Sequence, residues 1–141
     1  MIIGGQGGHA GGATGVQVAI QALDVTSATG TIISTASVPP SATTKVSGVL
    51  LYKDRNGTAT LGTDLRIYFT CNGGTNWTEV LAADFTAVTP VFSSAPDIKM
   101  VKLAEKTCTS GSDIRYKVVW ANQLAGGGGK DTLISGIGLN Y

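Results

Sequence analysis

One histidine, two cysteines and nine carboxylates are the chain's stock of groups that could act on a substrate. His9 lies in MIIGGQGGHAGGATG, far in sequence from any strand-borne nucleophile, so a Ser-His-Asp or Cys-His site would need that segment locked over Cys71 or Cys108. Neither cysteine has a second Cys or His at ligand spacing, which leaves no zinc set. They read as two small buried thiols, with one disulfide as the alternative. Asp64, Glu79, Asp84 and Asp113 could supply a glycosidase-type carboxylate pair. Asp64 and Asp113, however, stand in matching turn-to-strand phrases, Gly62-Thr63-Asp64-Leu65-Arg66 and Gly111-Ser112-Asp113-Ile114-Arg115, where fixing the turn is a sufficient role. The run from Gly126 to Thr132, GGGGKDT, imitates a phosphate loop and fails as one. Asp131 follows the lysine in place of Ser or Thr, Leu124 occupies the first required glycine position, and no helical pattern comes after it. The expectation is a non-enzyme with no catalytic residue, no metal site and no cofactor.

The phrase FTCNGGTNW (69–77) is the most distinctive in the chain. From Thr70 to Trp77 it resembles the Asp-box of sialidase-like β-proteins, with Asn72 in place of the acid and Asn76 in place of the Thr. In those proteins the box is a folding device. A propeller needs far more chain than this, so the likeness is local. The reading is a hairpin in which Gly73 and Gly74 supply positive φ and Trp77 anchors the core. The alternative is a ligand loop formed by Asn72, Gly73, Gly74, Asn76 and Trp77. Asn76-Trp77-Thr78 and Asn56-Gly57-Thr58 match the N-glycosylation pattern, but no secretory signal accompanies them.

Strands must position all of these residues. DLRIYFTC (64–71) alternates cleanly, with Leu65, Ile67, Phe69 and Cys71 on one face and Asp64, Arg66, Tyr68 and Thr70 on the other. Arg66, Tyr68 and Thr70 are the candidate contact surface, since Tyr and Arg contribute disproportionately to interfaces. Tyr116 and Trp120 are expected to face inward with Phe69 and Trp77. Further strands are expected at 16–22, 31–35, 45–54, 76–81, 89–93, 97–104, 113–121 and 132–140, with one helical turn at most near residue 85. The 45–54 segment is apolar on both faces and reads as packed from two sides. Such regular short strands between Gly, Pro, Asn and Ser clusters indicate an all-β, antiparallel sandwich of jelly-roll type. The expected organisation is a Gly-rich arm over residues 1–15 and a single sandwich domain over 16–141.

Seven of the first fifteen residues are glycine, which orders at high entropic cost unless a neighbour pins it. Gly4, Gly5, Gly7, Gly8 and His9 therefore join the candidate interface. Charged residues make up 13% of the chain and the formal net charge is +1, so little of the surface is defended by charge and self-association is favoured. No basic stripe supports nucleic-acid binding, and no apolar run approaches the roughly 18 residues of a membrane span.

Three phrases, GVLLYKDRNGTATLGTDLRIYFTCNGGTNWTEV, SDIRYKVVWANQ and ISGIGLNY, together resemble a β-rich module of structural proteins in tailed bacteriophages, particularly marine ones. The likeness spans roughly residues 45 to 141. It implies a non-enzymatic virion protein made in the host cytoplasm. Its small size and initial Met favour a capsid-surface decoration subunit over a tail or fibre component that binds a receptor or carbohydrate. The partners implied are copies of itself, other virion proteins and, for the fibre alternative, a host-surface glycan. No functional residue is carried over from the resemblance.

Overall fold

The structure is a computed structural model that describes residues 5–6, 17–18, 27–88, 94–124 and 129–141. Strands β1 (Gly5–Gln6) and β2 (Gln17–Val18) pair with each other in a two-stranded sheet of their own. The remaining strands are β3 (Ala28–Ile33), β4 (Thr43–Asn56), β5 (Leu65–Thr70), β6 (Thr78–Val80), β7 (Phe85–Val88), β8 (Lys99–Gly111), β9 (Arg115–Gln123) and β10 (Asp131–Asn140). They form two four-stranded antiparallel sheets, ordered β10-β4-β8-β7 and β3-β9-β5-β6. The expected all-β sandwich is the observed architecture. A single 3-10 turn at Ala82–Asp84 is the only helix among the described residues.

The two sheets face each other through the positions the alternation marks. Leu65, Ile67, Phe69 and Cys71 are fully buried, against Val46, Leu50 and Tyr52 of β4, Val101 and Leu103 of β8, and Val118 of β9. Fully burying one such aliphatic or aromatic side chain contributes about 1.5–3 kcal/mol. This shared interior therefore holds the sheets together. Tyr116 and Trp120 pack against it from partly buried positions, as expected.

Several expectations need correction. Residues 45–54 are apolar on both faces, yet only Val46, Leu50 and Tyr52 are buried; the other face of β4 is half-exposed because no layer covers it among the described residues. The strand near residue 85 is β7 itself, following the 3-10 turn directly, and the strand expected at 89–93 lies outside the described residues. Strand β8 runs to Gly111, well beyond residue 104. Of the strand expected at 16–22, Gln17–Val18 is described. Asp64 and Thr70, expected to face outward, are both buried. Each sits where β5 passes into a turn, and the turn folds over it.

Candidate functional site

The FTCNGGTNW segment is wired through side chains. Thr70 Oγ1 donates to Asn72 Oδ1 (2.9 Å) and accepts from the amides of Asn72 (3.3 Å) and Gly74 (3.2 Å). Asn72 Oδ1 also accepts from the Asn76 amide (3.0 Å), while Asn72 Nδ2 donates to Asn76 Oδ1 (3.0 Å). Gly73 and Gly74 have φ of 69° and 93°, the left-handed region that only glycine enters without strain. The turn is tied to the β8–β9 connection by Gly73 N donating to Asp113 O (3.0 Å) and Asp113 N donating to Cys71 O (2.9 Å). Gly111 passes so close beneath that a Cβ there would lie 2.1 Å from Cys71 O and 2.9 Å from Asn72 Cα. The folding-device reading holds for Thr70, Asn72, Gly73 and Gly74. Their polar groups are committed to the turn, and Thr70 is withdrawn from the candidate contact surface.

Trp77 is the misplaced member. It is half-buried and lies on the outer face of the β3-β9-β5-β6 sheet, because the turn releases the chain on that side. There it meets Lys117, whose Nζ stands 4.6 Å from the Trp77 ring centroid and 4.4 Å from the Tyr68 ring centroid. Register explains the meeting: Tyr68 pairs with Lys117 of β9 on one side and Glu79 of β6 on the other, and Ile33 of β3 lies opposite Lys117. Such cation–π contacts are worth about 0.5–1 kcal/mol each at exposed sites. Arg66 lies on the same face, 45% exposed, with Nε 3.9 Å from Glu79 Oε1. The sheet thus brings Arg66, Tyr68, Glu79, Trp77 and Lys117 together. Gly4, Gly7, Gly8 and His9 lie outside the described residues, and Gly5 is in β1.

Sequence reasoning missed Lys117. Alternation in DIRYKVVW puts it on a face with Arg115, but only the register of β9 against β5 sets it beside Tyr68.

The acidic candidates are paired with cations. Asp64 Oδ2 accepts from Lys130 Nζ (2.5 Å) and the Thr60 amide (2.7 Å), and Oδ1 from Asn122 Nδ2 (2.8 Å). Burial would raise its pKa, but the Lys130, Asn122 and Thr60 hydrogen bonds outweigh that and hold the carboxyl at about 2. The lysine of the glycine-rich loop is therefore engaged with Asp64. The Lys106 hydrogen bond holds Asp84 below its ordinary range, and Arg115, bound at 2.7 and 2.8 Å, does the same for Asp113. A general acid needs its pKa raised, and these three are moved the other way. Asp54, nearly buried, accepts from Lys99 Nζ (2.6 Å) and the Ala59 amide (3.1 Å). Thr132 donates through its hydroxyl to Asp54 (3.4 Å) and through its amide to Gln123 Oε1, while its carbonyl accepts from Trp120 Nε1.

Cys71 and Cys108 are both buried free thiols. Burial, then the neighbouring Cys108, pushes the Cys71 thiol up, away from the reactive thiolate. Among the described residues no group of three or more His, Cys, Asp or Glu is placed to hold a metal ion. No helix among them is long and apolar enough to cross a membrane.

No family model matches the chain, and neither a curated protein nor a solved structure matches it.

Proposed function

We propose that this chain is a non-enzymatic structural subunit of a tailed-phage virion that assembles with copies of itself along the open edge of β3. The observation that carries the assembly reading is that edge. β3 spans Ala28–Ile33 without a charged residue, all six of its residues are exposed, and it pairs only with β9 among the described residues. Ile32 and Ile33 are 45% and 53% exposed. Sheet edges normally carry charge, kinks or brevity against strand addition. Two of the other edges are short, β6 with three residues including Glu79 and β7 with four; β10 begins at Asp131 beside Arg55 and breaks register between Ile134 and Gly136, while β3 breaks register once, between Ala28 and Gly30, and carries no charge at all. An uncharged edge invites a strand from a neighbour, and repetition of one weak contact around a symmetric particle multiplies its effect.

The virion assignment draws on the resemblance of residues 45 to 141 to tailed-phage modules and on the low charge of the chain. Within it, a capsid-surface decoration subunit is the first reading and a tail or fibre component the second.

Light scattering on the full chain tests assembly. A mass of two or more chains is expected, falling to one in Ile32→Lys or Thr29→Lys with an unchanged circular dichroism spectrum. A monomeric parent at about 100 μM, or variants that keep the parent mass, would refute assembly through β3. Mass spectrometry of the virus-particle fraction from the sample carrying the gene tests the virion assignment, and absence of the chain from purified particles counts against it.

A further inference from the structure

We propose that the outer face of the β3-β9-β5-β6 sheet carries a binding subsite for a sugar bearing a single oxyanion, with Lys117 as the anion contact and Tyr68 and Trp77 as its walls. The inference does not depend on the assembly reading.

Lys117 makes no ion pair among the described residues. Its ammonium is instead fixed between two rings, at 4.4 and 4.6 Å from their centroids. Ring quadrupoles attract a cation without cancelling its charge, and the three N–H donors of an ammonium retain capacity for an oxygen acceptor. The flexible stem is thereby ordered before any ligand arrives, which removes part of the entropic cost of binding.

The walls are ordered as well. Trp77 leaves a turn whose polar groups bond one another, and its ring packs on Gly74, where an added Cβ would lie 3.1 Å from Cζ2. Tyr68 is held between Glu79 and Lys117 by strand register.

Charge counting selects the ligand. On this face Arg66 is set against Glu79, and Arg115 against Asp113. One uncompensated cation remains, flanked by two aromatic rings and by Ile33. A nucleic acid or an acidic peptide needs several cations in a row. A pyranose with one carboxylate or phosphate matches a single cation, and its C–H face suits half-buried aromatic surface.

The carboxylate and phosphate sources are separated by two probes, methyl galacturonoside and glucose 6-phosphate, titrated into the full chain while the two tryptophan indole signals are followed by NMR. At least one probe is expected to shift the Trp77 signal with Kd near about 1 mM. Neutral methyl galactoside should bind at least about tenfold more weakly, and added salt should weaken the acidic probe. Lys117→Met, which keeps the stem but not the charge, should lose about tenfold, while Lys117→Arg should stay within about threefold. The proposal is overturned if neither acidic probe shifts Trp77 up to about 10 mM, if the neutral sugar binds equally well, or if Lys117→Met binds like the parent. Inorganic phosphate binding as tightly as the better probe would also overturn it, by showing an anion hole with no sugar contact. Loss of binding in both Lys117 variants, each with its native indole spectrum, would assign the contact to something other than the cation and would count against it too.

Discussion

Replacing Asp64 by Asn tests whether the buried ion pair with Lys130 contributes to folding. The folded carboxyl is held at about 2 against an ordinary value of 3.8. At about 1.4 kcal/mol per tenfold change in proton affinity, this corresponds to about 2 kcal/mol of stability at neutral pH. The side chain of Asp64 is 2% exposed, so solvent screens the pair little on that side, while Lys130 at 33% can return to water when its partner is neutralised. The sign follows from the depressed value. The contribution is fully present above pH 3.8 and is lost as the pH falls through about 2. Urea unfolding of the parent and Asp64→Asn, followed by tryptophan fluorescence, should differ by about 2 kcal/mol at pH 7 and by less than about 0.5 kcal/mol at pH 2. A gap equally large at both pH values would mean that shape or hydrogen bonding, and not charge, holds the site. A gap below about 0.5 kcal/mol at pH 7 would refute the ion-pair reasoning altogether.

Two further substitutions probe the turn. Gly111→Ala places a methyl 2.1 Å from Cys71 O, against backbone that cannot swing aside, and should destabilise by about 2 kcal/mol or more, whereas Gly136→Ala, with nothing within 4 Å, should stay within about 0.5 kcal/mol in the same urea assay. Thr70→Val preserves shape but deletes the hydroxyl that serves Asn72 and Gly74, and chemical denaturation should show a loss of about 1–2 kcal/mol; an unchanged midpoint would show that the turn is fixed by its glycines alone.

Much of the core was legible because strand period is local information. Leu65, Ile67, Phe69 and Cys71 follow from alternation, and all four are buried. Alternation misled at the ends of β5. Asp64 and Thr70 obey the outward phase, but a turn covers each and supplies partners that offset the cost of burying polar groups. The turn chemistry of residues 70–76 was readable from Asn and Gly at fixed offsets, whereas the side on which Trp77 emerges depends on the path of the chain after Gly74. The Tyr68–Lys117–Trp77 cluster was not legible, because it joins β5, β9 and the entry to β6 through a register that no local pattern encodes. The exposed state of β3 has the same origin, since ATGTII would fit a central strand equally well.

The pairing of β10 with β4 bears on the order of biosynthesis. Asn56 finds its partner in Asp131, and Ser47 finds its partner in Asn140, so one side of β4 from Ser47 to Asn56 lacks its ladder until β10 has emerged from the ribosome. β8, the partner of β4 on its other side, can dock earlier. A partial sheet with an apolar, unpaired long strand therefore precedes the finished fold on every nascent chain, and pairings this distant in sequence close slowly. Expression at low temperature or with holdase chaperones should raise the soluble yield of this protein, because this unpaired edge belongs to the unfinished chain.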